Sequence, residues 1–231
     1  MNYKKIGIIF AMKEEARPLL DLLHLKRIES PGPYEIYRGL LKDKEIIIGL
    51  NGKCTKNNVD RIGTVPAALN AQHLISSFPL DLIINAGTAG GFKKKSRIGD
   101  VYLSTEVIYF HDRRISLPGF QEFAKGGSPS INTEKMAQDL NLKRGQITSG
   151  DSFDNNEEDL RVMQDLQTDA KEMEAASIAY VCEQNKVPFL AVKSITDFID
   201  SNDCSKEEFL RNLSHASKRL QDSLLKILES F

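Results

Sequence analysis

No stretch of the 231-residue chain approaches the roughly 20 consecutive apolar residues of a membrane-spanning helix. The apolar run near the start, Ile6 to Met12, meets Lys13-Glu14-Glu15 at once and has no small-residue cleavage site, so it does not read as a secretory signal. Cysteine is scarce. Cys54, Cys182 and Cys204 form no CxxC pair, which speaks against a disulfide framework or a structural zinc site and for free thiols in a reducing compartment. An excess of either charge is also missing. Lys plus Arg number 31 and Asp plus Glu 32, a formal net charge of −1, whereas a dedicated nucleic-acid binder normally carries a basic surplus. The one basic run, Lys93-Lys94-Lys95, reads as an exposed loop. There are no internal repeats and no low-complexity segments. These absences lead us to expect a cytoplasmic protein that binds neither membrane nor nucleic acid.

What the chain does have is a 41% hydrophobic content, too high for disorder and enough to build a core without staples. Ile6–Phe10, Leu80–Ala86 and Phe189–Ile195 are near-continuous apolar runs, the pattern of strands buried on both faces. Lys13–Leu23 carries Ala16, Leu19, Leu20 and Leu23 on one helical face, and Thr64–Phe78 reads as a helix with Pro66 in its first turn. Tyr34–Leu41 and Lys44–Leu50 form a hairpin about Lys42-Asp43. Asp100–Phe110 reads as one long strand, 117–131 as a loop, Gly145–Ser149 as a short strand and Glu172–Gln184 as a helix. Ser205 with Glu208 forms a capping-box pattern opening a C-terminal helix with Phe209, Leu213, Ala216, Leu220, Leu224 and Leu228 on one face. The order predicts a single α/β domain over residues 1–231, with a mixed central sheet.

In open α/β sheets, ligands bind beyond the carboxyl ends of the strands. The three buried strands end near Ala11-Met12, at Gly87-Thr88-Ala89-Gly90-Gly91, and at Thr196-Asp197. The glycine cluster fits neither the Walker nor the dinucleotide fingerprint; it either admits a flat ligand close to backbone or is a plain turn. Glu15, Glu172 and Glu174 fall in predicted first turns, where the helix macrodipole alone would favour them. Asp197 ends a buried strand, where an unpaired charge is costly, so it either caps the next turn or serves in a site. His111 has no second histidine at ligand spacing, and no metal is expected. Pattern alone reaches a hydrolase or transferase acting on a small ligand.

Several strings in order carry more. IGIIFAMKEEA at 6–16, INAGTAGGF at 84–92, IGDV at 98–101, SGDSF at 149–153, EMEAASIAYV at 172–181 and SITDFID at 194–200 resemble the 5′-methylthioadenosine/S-adenosylhomocysteine nucleosidases of the purine nucleoside phosphorylase superfamily. GTVPA at 63–67 and FHDRR at 110–114 look closer to the plant-type members. The resemblance implies a three-layer α/β/α sandwich of the nucleoside phosphorylase/hydrolase type. It also implies cleavage of the adenine–ribose bond without cofactor, in methionine salvage. By the same resemblance Asp197 is the general acid at adenine N7, Thr196 orients it, Glu15 holds the water and Glu174 binds the ribose hydroxyls. Met173 lies beneath the ribose and Phe153 on the adenine, with Ala11, Met12, Thr88, Ala89, Gly90, Ser152 and Glu172 completing the nucleoside pocket. The family is a homodimer, and Pro118, Phe120 and Phe123 are the expected donors to the neighbour's 5′-substituent pocket.

Three positions depart from the common bacterial pattern. Asp154 replaces an apolar residue, Lys193 replaces an Arg, and Lys206 falls near an aromatic position. Plant-type members commonly favour methylthioadenosine, so it is the expected substrate, with S-adenosylhomocysteine open. The competing readings are a phosphorylase, which needs arginines for phosphate, and a non-catalytic nucleoside binder.

Overall fold

Alternating side chains along the buried strands decide the layers. In the computed structural model, which describes residues 3–200 and 205–231, the chain runs β1 (Lys5–Phe10), α1 (Lys13–Leu23), β2 (Lys26–Ile28), β3 (Glu35–Leu41), β4 (Lys44–Leu50), β5 (Lys53–Cys54), β6 (Val59–Asp60) and α2 (Thr64–Ser77). It continues with β7 (Leu82–Gly91), β8 (Val101–Ser104), β9 (Val107–Phe110), α3 (Gln121–Lys125), β10 (Gly126–Pro129), α4 (Glu134–Leu140), β11 (Lys143–Gly145) and β12 (Ile147–Ser149). The last elements are α5 (Glu157–Asp165), β13 (Ala170–Glu172), α6 (Ala175–Gln184), β14 (Phe189–Phe198) and α7 (Ser205–Ser230). Ile6, Ile8 and Phe10 join one core with Leu19 of α1 and Leu220 and Leu224 of α7. Ile9 points the other way, into a core with Ala67, Ala71 and Leu74 of α2 and Ile178 and Ala179 of α6. Two buried faces on one sheet require a helical layer on each, which is the expected three-layer sandwich.

The sheet is mixed. β1 lies parallel between β4 and β7, β14 is parallel to β7 on its other side, and β13 is antiparallel to β7. The decisive feature is where β7 changes partners. Its residues Leu82–Asn85 pair with β1, and only Gly90 and Gly91 pair with β13. Between them the sheet parts, and ligands bind at such partings.

Several sequence expectations shift here. β7 does not stop at Ala86 but runs through the glycine cluster to Gly91, because β13 continues the ladder. β14 likewise runs past Ile195 to Phe198, through a bulge at Thr196. Asp100–Phe110 is two strands broken at Thr105-Glu106, and Gly145–Ser149 divides between β11 and β12, which pair with different neighbours. The expected loop 117–131 contains α3 and β10. Glu172 ends a strand and Glu174 is the N-cap of α6, so neither lies in a first helical turn. Cys204 and the side chain of Ser205, the expected cap, lie outside the described residues. Among those described, no helix is long and apolar enough to cross a membrane.

Candidate active site

Where β7 parts from β1, a cavity of about 400 Å³ opens. Every candidate catalytic and nucleoside-pocket residue lines it: Ala11, Met12, Glu15, Thr88, Ala89, Gly90, Ser152, Phe153, Glu172, Met173, Glu174, Thr196 and Asp197. Pro118, Phe120 and Phe123 do not; they stay exposed on the surface, with the two phenyl rings edge to face at 6.4 Å.

Glu15 is the third residue of α1, and its carboxylate turns back into the parting. Oε1 accepts from the Thr88 N–H at 2.8 Å and the Thr88 hydroxyl at 2.7 Å; Oε2 accepts from the Met12 N–H at 3.2 Å. A Cβ at Gly87 would stand 3.2 Å from Oε1, so a small residue there leaves the carboxylate its room. Burial pushes the Glu15 carboxyl up; Lys193 and the Thr88 and Met12 donors pull back without cancelling it.

Glu174 hangs from the start of α6. Its Oε1 accepts from the Gly63 N–H at 2.8 Å. Gly63 adopts φ +98°, and a Cβ on it would meet Asp151 Oδ1 at 2.7 Å, so this contact depends on glycine. Burial raises the Glu174 carboxyl to about 7, against the opposing pull of Lys193. Glu172 plays another part. Its Oε1 accepts from the Ser149 hydroxyl, and its two oxygens take the backbone N–H groups of Glu174 and Ala175 at 2.9–3.0 Å. It caps α6 as an anion at a helix N-terminus should.

Lys193, seen in the sequence only as a departure, joins these groups. It is 1% exposed, with Nζ 2.7 Å from Glu172 Oε2 and 4.0 Å from Glu174 Oε2. Burial pulls its ammonium down, but Glu172, Glu174 and Glu15 together hold it above its ordinary value.

Asp197 faces the cavity from β14. Thr196 is the extra residue of the bulge, since Ile195 pairs with Ala89 and Asp197 with Gly90. A bulge of this kind re-aims the next side chain. Thr196 donates its hydroxyl proton to Asp197 Oδ1 at 2.8 Å, with the Ala89 carbonyl 3.2 Å away. Asp197 is 4% exposed, and burial raises its carboxyl, with Glu208 adding to the rise and Thr196 and Lys171 opposing it.

Residues not singled out by sequence also line the cavity. Lys171 and Ile199 do so, together with Lys53, Asn58, Val59, Asp60 and Ile62 from the β5–β6 segment. Phe209, not Lys206, supplies the aromatic wall from α7 and meets Phe153 edge-on at 5.7 Å. Its place on the apolar face of α7 was legible, but not that this end of the face reaches the cavity. His111 is buried away from the cavity lining, its Nδ1 3.2 Å from the Thr148 hydroxyl. Among the described residues no group of three His, Cys, Asp or Glu is placed to hold a metal.

A family profile described as Phosphorylase superfamily matches residues 5–229. A 5′-methylthioadenosine/S-adenosylhomocysteine nucleosidase of Arabidopsis thaliana is 40% identical over 230 residues, 97% of this chain and 90% of its own length. A 5′-methylthioadenosine nucleosidase of the same plant is 37% identical over 96% of this chain and 85% of its own. The solved structure of Arabidopsis thaliana 5′-methylthioadenosine nucleosidase in apo form superposes with a TM-score of 0.95 at 34% identity, covering 99% of this chain and 96% of that one. The chain belongs to the phosphorylase superfamily and, within it, to the family of the 5′-methylthioadenosine/S-adenosylhomocysteine nucleosidases.

Proposed function

We propose that this chain, as one nucleosidase domain, hydrolyses the N-glycosidic bond of 5′-methylthioadenosine to adenine and 5-methylthioribose. The observation that carries the reading is the convergence of three buried carboxylates from three elements, Glu15, Glu174 and Asp197, on one cavity in a chain 40% identical to a named nucleosidase.

Adenine leaves poorly as an anion, so a proton must reach the base as the bond to C1′ breaks. Asp197, its proton held by burial, donates to N7; the bonding pair of C1′–N9 stays with the base. The sugar is left with cationic character, which the carboxylate of Glu174 at the ribose hydroxyls stabilises. Water held by Glu15 attacks C1′ and passes its proton to that carboxylate. Acid on one side of the sugar and water-holding carboxylate on the other is the inverting arrangement. Burial raises both carboxyls, Glu174 to about 7, so each ionises at higher pH than an ordinary carboxylate.

Phosphorolysis would need a cationic seat for phosphate. Among the described residues lining the cavity there is no arginine; of its two lysines, Lys171 commits its Nζ to backbone carbonyls and Lys53 stands exposed on β5. The test is adenine release from methylthioadenosine with and without phosphate. Equal rates, with free methylthioribose as the second product, are expected. Release that requires phosphate and yields a sugar 1-phosphate overturns the hydrolase. S-adenosylhomocysteine in the same assay decides whether the larger substituent is also accepted.

The reading extends to a cytoplasmic homodimer serving methionine salvage. Its support is the exposed apolar segment bearing Leu117, Phe120 and Phe123, which would close a neighbour's 5′ pocket. Sedimentation at twice the chain mass is expected, and a fully active monomer excludes it.

A further inference from the structure

Lys171 takes no part in the chemistry above, yet it is a buried ammonium on the wall of the same cavity, only 4% exposed. Sheet register explains its place. Lys171 of β13 and Asp197 of β14 are both paired with Gly90 of β7, from opposite sides. Residues paired across a ladder project from the same face. The row therefore reads cation, no side chain, acid. At the strand spacing of about 4.8 Å, the two flanking Cα atoms stand roughly 10 Å apart across the glycine. The space between is kept open by Gly90, whose Cβ would meet Ile199 Cγ2 at 2.5 Å and Asp197 Oδ2 at 3.2 Å.

The ammonium makes no ion pair with Asp197 across this space. Its Nζ donates to the carbonyls of Phe153 at 2.7 Å and Asp154 at 2.8 Å. Those carbonyls belong to the loop after β12, whose Asp151 is anchored to Thr64 and Asp112. Phe153 itself is 43% exposed and meets the Phe209 ring edge to face. A buried ammonium must find acceptors, and here two of its three protons find them in one turn of loop. Asp154 contributes its backbone carbonyl, as any residue there would; what its departure from the bacterial pattern adds is a carboxylate that helps hold the Lys171 ammonium charged.

We propose that Lys171 is the positioning residue of the base subsite: it ties the Phe153 and Asp154 carbonyls together and so fixes the wall against which the purine lies opposite Asp197. That the ligand is a purine nucleoside rests on the nucleosidase reading; that the loop is held by Lys171 does not. The same ammonium also biases the acid. Lys171 faces Asp112, Asp154, Asp159 and Asp197, with His111 nearby, and Asp197 faces Lys171, Glu208 and the Thr196 hydroxyl. Removing the cation leaves Asp197 holding its proton more firmly.

The test compares wild type with Lys171→Met, which loses both donors and charge, and Lys171→Gln, which keeps a donor and loses the charge. Free adenine is the probe, titrated by calorimetry, followed by kcat and KM for methylthioadenosine against pH. Lys171→Met is expected to weaken adenine binding by ~10-fold or more, and to raise KM by more than it lowers kcat. Lys171→Gln is expected to fall between it and wild type in adenine affinity. Both should carry the basic limb of kcat/KM to higher pH, a shift that a merely structural lysine would not produce. If the Met variant does not fold, the Gln variant carries the comparison. Wild-type adenine affinity in the variants, an unmoved basic limb, a loss confined to kcat, or failure of both variants to fold overturns the proposal. Should wild type bind adenine yet leave methylthioadenosine intact, the hydrolase reading fails while the adenine comparison still judges Lys171.

Discussion

Asp197→Asn is expected to lower kcat for adenine release by about 10²- to 10⁴-fold, the usual contribution of a positioned general acid, with KM changed only a few-fold. The asymmetry follows from what asparagine keeps. Its amide can still donate a hydrogen bond to the purine nitrogen and still accept from Thr196 as Oδ1 does at 2.8 Å. It has no proton to surrender when the bond to C1′ breaks. Of the two Asp197 oxygens, Oδ1 is taken by Thr196, while Oδ2 faces the space over Gly90, so on the proposed chemistry Oδ2 is the oxygen that would carry the transferable proton. Burial raises the carboxyl, and its charged neighbours divide, Glu208 raising and Lys171 lowering it. The protonated form therefore persists to higher pH than in an ordinary aspartate, and kcat/KM is expected to fall as pH rises through that raised value. The Asn variant should lose this basic limb. Its stability should move the opposite way from its activity. A carboxyl whose folded pKa is raised contributes stability below its unfolded value and loses it as pH rises through the folded one, so the Asn variant should be at least as stable as wild type in alkaline buffer. Initial rates across pH and melting curves at two pH values check both halves. A kcat within tenfold of wild type, or a surviving basic limb, would place the acid elsewhere.

The location of the cavity was legible because buried parallel strands write themselves as apolar runs and their carboxyl ends line it. Glu15, Thr88 and Asp197 stand at or just beyond those strand ends, and Glu174 came from the string around it. What could not be read is whatever depends on a distant partner. Gly90 and Gly91 looked like a stop because glycine-rich runs usually are one; they continue the strand because β13, far along the chain, pairs with them. Glu172 looked helical beside EAAS, whereas its carboxylate is the cap that lets α6 start. Lys171 carries no periodic signal, since a lysine next to a glutamate reads as solvated charge until the carbonyls it serves are seen. Lys193 stood in plain view in FLAVKSIT. A lysine in the middle of an apolar strand demands buried anions, and that demand was the missed signal.

Lys193→Met is expected to be the most destabilising single change in the site, by about 3–5 kcal/mol near neutral pH, the cost of leaving buried charges without their partner. Glu172, Glu174 and Glu15 all draw on this one ammonium, which contacts Glu172 Oε2 at 2.7 Å and lies 4.0 Å from Glu174 Oε2. Methionine fills the stem's volume, so the loss reports charge more than packing. The pH dependence separates the two. Glu15 and Glu174 already sit above ordinary carboxylates, Glu174 at about 7, with Lys193 pulling both down. Without it both rise further. Carboxyls with raised folded pKa contribute stability below their unfolded values and lose it as pH climbs through the folded ones. The deficit should therefore be larger at about pH 8 than at about pH 5, as chemical denaturation at the two pH values will read; a packing defect would be equal at both. Activity should follow the same groups. On the proposed chemistry Glu15 is ionised to take the water's proton and Glu174 to face the cationic sugar, so the acid limb of kcat/KM should move to higher pH in Lys193→Met and stay close to wild type in Lys193→Arg, which keeps the charge. An acid limb unmoved in the Met variant would mean that the three carboxylates do not share this cation in the working enzyme.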